Sequence, residues 1–181
     1  MQFLRAHNET FPGLEVLVAD IDSERAQGFA AEHHAKLVST EEAAGCDIVC
    51  VATPSRTPVI HFDMIKPGAH INAMGADAPG KQELDVEILQ SARVFVDEIE
   101  QARHSGEINV ALERGVYSLG DISGTVGQVI AGRVPARFDD TDITVFDSTG
   151  LAVQDLALAS RIYSGAGETG ARLDIVGVTA G

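Results

Sequence analysis

The sequence has no tryptophan, two cysteines and only three lysines (Lys36, Lys66, Lys81) among its 181 residues. Cys46 and Cys50 flank Asp47-Ile48-Val49-Cys50-Val51-Ala52, which reads as a strand. A four-residue step along a strand spans about 13 Å, beyond disulfide reach. They are therefore expected to be buried thiols, not a bridge or a metal pair. Positive charge is scarce too: 13 basic residues face 27 acidic ones, a formal net charge of -14. That balance excludes nucleic acid and an anionic membrane surface as default partners. No apolar run approaches the roughly 20 residues needed to span a bilayer. Nor is Met1 followed by the basic patch and apolar stretch of a secretory signal, so a cytoplasmic location is expected. The acidic, lysine-poor surface suits a high-salt cytoplasm or plain solubility equally.

What is present is a core-forming chain, 45% hydrophobic, sized for one domain. Leu14–Asp20 (LEVLVAD) is a β-branched run, followed by helix formers over Asp22–His34. The alternation recurs: a strand at Lys36–Val38, a capped helical turn at Thr40–Ala44, and strands at Asp47–Thr53, Ala69–Met74, Arg93–Asp97 and Asp142–Asp147. Short, apolar strands separated by helical stretches predict a parallel sheet covered on both faces. A helix is predicted near Thr125–Ala131, and Leu151–Tyr163, apolar nearly all round, reads as a buried helix. Residues 1–163 are thus expected to form a dinucleotide-binding-type domain, with 164–181 a weakly specified extension.

Four segments have chemistry to offer. Asp20 ends LEVLVAD, where a dinucleotide-binding sheet keeps the carboxylate that accepts from the adenosine ribose hydroxyls and repels the extra phosphate of NADP; helix capping is the bland alternative. Met74-Gly75-Ala76-Asp77-Ala78-Pro79-Gly80-Lys81 sets a carboxylate and an ammonium four positions apart around a Pro-Gly turn, after small residues that admit close backbone approach. The carboxyl end of a strand in an open α/β sheet is where ligands bind; a charged surface turn would look the same. Thr53-Pro54-Ser55-Arg56-Thr57-Pro58 and Asp147-Ser148-Thr149-Gly150 offer hydroxyls and free N–H groups at strand-to-helix junctions, suited to carboxylate, phosphate or amide ligands or equally to helix capping.

Together, VATPSRTPVI, PGAHINAMGADAPGKQELD, RVFVD and ITVFDSTGLAVQDLA resemble the ornithine cyclodeaminase and mu-crystallin family over about Leu14–Tyr163. Their wording is most similar to its archaeal-type alanine dehydrogenase branch or a close imine reductase. The resemblance implies a Rossmann-like, doubly wound, mostly parallel sheet. It implies NAD as cofactor, with NADP disfavoured by Asp20, and a small amino acid or imine, alanine favoured, as substrate. Asp20 matches the ribose-binding acid, Thr53 a cofactor contact, and Met74, Gly75, Ala76 and Asp77 the loop beside the nicotinamide. Asp77 matches the catalytic aspartate, which exchanges protons with the substrate amine and water. Lys81 and Ser148 match cofactor contacts and Thr149 a substrate contact. A homodimer is also implied.

The sequence departs from that pattern at its amino-terminal side. The glycine-rich phosphate turn should precede LEVLVAD by about one helix, and MQFLRAHNETFPG reads as the last turns of that helix. The sheet is therefore expected to lack its first strand and its Gly-rich turn. In the order 3-2-1-4-5-6 that strand is central, and its loss leaves two neighbours roughly 9.6 Å apart. They must pair directly, accept a partner's strand, or belong to a longer protein. The family's substrate domain, with the lysine and arginines that hold the substrate carboxylate, is likewise unmatched. The isolated chain is accordingly expected to be weakly active or inactive, or to be a non-catalytic nucleotide- or ligand-binding remnant. Asp20-Ile21-Asp22 imitates the D-x-D of haloacid-dehalogenase-type phosphatases, but Glu24 stands where that motif wants Thr or Val. Asp139, Asp140 and Asp142 lack the glycine and glutamate of a calcium loop, and the six histidines show no metal-ligand spacing.

Overall fold

The computed structural model describes residues 13–166. The helical reading of the first twelve residues and the part of the extension beyond Ala166 lie outside them. The chain divides into two compact units, Met1–Thr149 and Gly150–Gly181.

The first unit is α/β. Seven strands run in chain order: β1 (Leu17–Val18), β2 (Lys36–Leu37), β3 (Ile48–Val51), β4 (His70–Ala73), β5 (Arg93–Val96), β6 (Gly124–Thr125) and β7 (Thr144–Asp147). The helices between them are α1 (Ser23–His33), α2 (Thr40–Ala44), α3 (Val86–Ser91), α4 (Ile99–Ser105), α5 (Asn109–Glu113) and α6 (Val126–Ile130). Every pairing is parallel. Five strands form one sheet in the order β3-β4-β7-β5-β6, with β1 and β2 in a separate two-stranded sheet.

Two differences from the expected sheet have physical reasons. First, β7 stands between β4 and β5, where the expected order would make β4 and β5 neighbours. Thr144, Val145 and Asp147 are buried, as a strand flanked on both sides requires. Second, β1 and β3 do not close up on one another. β1 gives one edge to β2, with Val16 and Val18 carbonyls accepting from Lys36 and Val38 N–H at 2.8 and 3.0 Å. Its other edge has no strand among the described residues. The run from Leu14 to Asp20 therefore contracts to a two-residue strand.

The core of this unit is built from β-branched strand residues and the inner faces of short helices. Ile71, Val94, Val96 and Val145 pack with Leu84, Ile88 and Ile108, all completely buried. Each such side chain contributes about 1.5–3 kcal/mol relative to leaving it in water. β3 alternates instead: Val49 and Val51 are buried while Cys50 between them is exposed and Cys46 is half-buried. The expectation of buried thiols fails at Cys50, because its face of β3 is open among the described residues.

Helix ends follow their caps. Asp22 accepts from Glu24 and Arg25 N–H, both at 3.1 Å, and starts α1. Ser39 accepts from Glu42 N–H and starts α2. In the second unit, α7 (Ala152–Ala166) is helical as its sequence predicts. Its described side chains from Ala152 to Gly165 are exposed, including Val153, Leu156 and Ile162. The burial expected from its apolar perimeter is not met within its own unit.

Candidate functional site

A parallel sheet delivers all its strand ends to one edge, and that edge gathers most of the residues singled out above. Thr53 follows β3, Met74–Asp77 follow β4, Asp97 follows β5, and Ser148 and Thr149 follow β7. Because β7 lies beside both β4 and β5, Ser148 and Thr149 come between the Met74 turn and Asp97. Ser148 N–H donates to the Ala73 carbonyl at 3.0 Å, joining the ends of β4 and β7.

The turn after β4 is tightly defined. Asp77 N–H donates to the Gly75 carbonyl at 2.9 Å, and Lys81 N–H to the Ala78 carbonyl at 3.2 Å. Gly80 has φ 76°, the left-handed conformation that the third position of a Pro-Gly turn demands. Buried Asn109, at the start of α5, accepts from Gly80 N–H at 2.9 Å and donates to the Lys81 carbonyl at 3.0 Å. This turn brings the Lys81 ammonium onto the Asp77 carboxylate as a hydrogen-bonded ion pair. The Lys81 contact holds the Asp77 carboxyl below its ordinary value. Asp77 is exposed and Lys81 less so, so a solvent-facing carboxylate stands at the strand edge, with one oxygen paired to a cation.

The other predicted residues have partners that sharpen their roles. Thr149 donates its hydroxyl to Asp97 at 2.7 Å and its N–H to the same carboxylate at 2.9 Å. Its hydroxyl proton is therefore committed, and what it offers a ligand is a lone pair. The Thr53 and Gly75 N–H groups both donate to Glu83, so neither is free for a ligand. Ala76 is buried, which leaves Met74, Gly75 and Asp77 as the reachable part of the loop. Asp20 follows β1 in the smaller sheet, accepts from Asp22 N–H at 2.9 Å and stands 3.7 Å from the Arg25 guanidinium. It closes a local turn before α1, whose cap is Asp22, and its carboxylate remains partly open to solvent.

Asp22 is spent on the cap of α1, which removes the second acid of the phosphatase-like pair. No group of three or more His, Cys, Asp or Glu side chains among the described residues could hold a metal ion. No described helix is long and apolar enough to cross a membrane.

Sequence reading missed the residues beneath this edge. Glu83, Glu107 and Asp147 are fully or almost fully buried acids, and none stands in a pattern that separates it from a surface carboxylate. Glu83 and Glu107 meet across 24 residues, Glu107 and Asp147 across 40. Burial pushes the Glu107 carboxyl well above its ordinary range and Asp147 up to about 7.

A dinucleotide fits the donor set in part. The Thr53 side chain, the Met74–Gly75 turn and Ser148 lie along the edge of the five-stranded sheet, where an open parallel sheet takes its ligand, whereas Asp20 follows β1 in the separate two-stranded sheet. The space beside the Gly75 Cα is already filled by the Thr53 carbonyl and the Glu83 carboxylate, so this glycine serves the protein's own packing.

Comparison with known proteins shows the family to which this fold belongs. Residues 8–170 match the model of the ornithine cyclodeaminase/mu-crystallin family. An alanine dehydrogenase of Archaeoglobus fulgidus is 46% identical over 168 residues, 90% of this chain and 52% of the relative. An archaeal alanine dehydrogenase dimer with bound NAD superposes with a TM-score of 0.86 at 46% identity, over 91% of this chain and 53% of that one. A Thermococcus litoralis Delta(1)-pyrroline-2-carboxylate reductase in complex with NADH and L-proline superposes with a TM-score of 0.82 at 30% identity, over 91% of this chain and 54% of that one. The chain belongs to the ornithine cyclodeaminase/mu-crystallin family, and it spans about half the length of the relatives it matches.

Proposed function

We propose that this member of the ornithine cyclodeaminase/mu-crystallin family carries the cofactor site and the acid-base group of an NAD-dependent oxidoreductase that interconverts a small amino acid and its imine. The observation that carries the reading is the Asp77–Lys81 pair, set at the carboxyl edge of a parallel sheet beside Thr53, Ser148 and Thr149. Relatives described as an alanine dehydrogenase and as an imine-type reductase with NADH support the reaction class. They favour alanine as substrate and, with the dimer among them, a homodimeric assembly.

NAD would be held by Asp20 at a ribose hydroxyl and by Thr53, Met74, Gly75, Lys81 and Ser148. The Asp20 charge disfavours NADP. The bound nicotinamide supplies the acceptor or donor of hydride. Asp77 handles the protons. Oxidation of an amino acid at its α-carbon removes hydride from carbon and a proton from nitrogen, and water then adds to the imine. Lys81 keeps Asp77 ionised in the free site, ready to take the amine proton and return it at a later step. Thr149, its own proton given to Asp97, accepts from the substrate.

None of the side chains named above is expected to grip the substrate carboxylate, so turnover by this chain alone is expected to be weak or absent. Alanine-dependent reduction of NAD tests the assignment. Weak turnover that disappears in Asp77→Asn, with NADH binding kept, supports it, whereas turnover that survives Asp77→Asn contradicts it. Nucleotide binding without turnover, also after fusion to the remaining half of the Archaeoglobus relative, favours a non-catalytic nucleotide-binding module. Magnesium-dependent phosphoester hydrolysis favours the phosphatase reading.

A further inference from the structure

Under the strand edge, three buried acids form a ladder: Asp147 grips the backbone at Glu107, Glu107 grips it at Glu83, and Glu83 grips it at Thr53 and Gly75. Asp147, at the end of β7, accepts from Glu107 N–H at 2.8 Å and from Ile108 N–H at 3.3 Å. Glu107 accepts from Glu83 N–H at 2.8 and 3.1 Å through its two oxygens, and from Leu84 N–H at 2.7 Å. Glu83 in turn accepts from Thr53 N–H with one oxygen and from Gly75 N–H with the other, at 2.7 Å. The ladder thus joins the ends of β7, β4 and β3. No Lys or Arg forms an ion pair with any of the three among the described ion pairs.

We propose that Glu83, held by Glu107 and through it by Asp147, is a positioning residue that locks the Thr53 turn against the Met74–Asp77 turn and thereby fixes where Asp77 stands. A buried acid without a cation is a costly way to fill a core, and an apolar side chain of equal size would serve packing better. What the carboxylate supplies is two acceptor oxygens with no donor of its own, so one group can bridge N–H donors from two strands.

Two glycines mark the ladder's fit. A Cβ on Gly75 would collide with the Thr53 carbonyl and the Glu83 carboxylate, and one on Gly106 with Asp147 and the Ala102 backbone. Gly75 also accepts from Asp77 N–H at 2.9 Å, so a displacement at Gly75 is passed to Asp77 within one short turn. The catalytic consequence rests on the reading of Asp77 given above, whereas the clamp itself does not.

The test is amide hydrogen exchange by NMR on the whole chain, together with an NADH titration. In the wild type, Thr53 and Gly75 amides are expected to be protected although both lie in turns; exchange as fast as that of exposed loop amides overturns the clamp without any variant. In Glu83→Gln, which keeps the shape but turns a donor toward one of the two N–H groups, at least one of these amides exchanges about tenfold faster. Val94 and Val145 amides keep their wild-type rates. Acceleration spread evenly over β5 and β7 as well reveals a merely structural role and overturns the proposal. Glu107→Gln, one rung away, is expected to release Glu83 and Leu84 amides first and Thr53 and Gly75 less; unchanged exchange at all four overturns the ladder. Because the clamp positions this turn, NADH-induced shifts at Met74–Asp77 weaken several-fold in Glu83→Gln, where it is released. If the wild type shows no NADH response while Glu83→Gln still frees Thr53 and Gly75, the clamp stands and the cofactor reading falls.

Discussion

In the proposed cofactor site, Asp20 is the residue on which the choice between NAD and NADP would turn. Its carboxylate is shared between the Asp22 N–H and the Arg25 guanidinium, yet it keeps enough exposure to accept from a ribose hydroxyl. Asp20→Asn removes the charge and keeps a side-chain oxygen that accepts from the Asp22 N–H. NADH affinity should then fall by about tenfold, as for a hydrogen bond to a charged group, while NADPH affinity holds or rises. Parallel titrations with the two nucleotides measure this, and an unchanged ratio would place the ribose elsewhere. At this scale the sequence was readable wherever a residue's role follows its neighbours. Asp77 and Lys81 could be paired because Pro79 and Gly80 between them dictate a turn. Glu83, Glu107 and Asp147 could not, since their partners are backbone N–H groups of residues distant in sequence.

At the scale of elements, β-branched runs marked the strands, because such side chains suit a pleated, half-buried surface. Their lengths were not legible, since a ladder ends where its partner ends. Leu14–Asp20 contracts to Leu17–Val18, one edge of which has no partner strand among the described residues, whereas Asp142–Asp147, flanked by β4 and β5, keeps Thr144–Asp147. β6 is a Gly-Thr pair that no propensity would reveal. The turn after β4 carries the clearest stability prediction. Gly75→Ala and Gly106→Ala press a methyl into backbone and carboxylate and should each lower stability by about 1–3 kcal/mol. Gly28→Ala, in exposed helix α1 with open space around it, should raise it by about 0.5–1 kcal/mol. Urea unfolding of the three variants checks the pattern; a harmless Gly75→Ala would mean that the Thr53 and Met74 turns are not packed as described.

For the molecule as a whole, charge and burial act in the same direction. Asp147 is lifted by burial from 3.8 to about 7, opposed by the Glu107 and Ile108 N–H groups and reinforced by Asp97 and Glu83. Between those values the folded chain holds a proton that the unfolded chain has released. The contribution of this group is therefore complete below the unfolded value and lost as pH rises through the folded one. Glu107 shifts in the same direction, and a net charge of -14 adds self-repulsion as carboxylates ionise. Stability should fall from about pH 4 to pH 7, and Asp147→Asn should flatten that slope; an unaltered slope would mean Asp147 is not buried as an acid. The alternating strands and helices made the parallel α/β class legible, but not the arrangement of the strand edge, which depends on β7 entering between β4 and β5. The central claim is that this edge is a nicotinamide-dinucleotide site with Asp77 at its reacting end. The most direct measurement is an NMR titration of the chain with NADH to millimolar concentration, read at individual amides. The account predicts shifts that converge on Asp20, Thr53, Met74–Asp77, Lys81 and Ser148 and leave β6 and α6 untouched. Shifts confined to other surfaces, or none at saturating nucleotide, would contradict it.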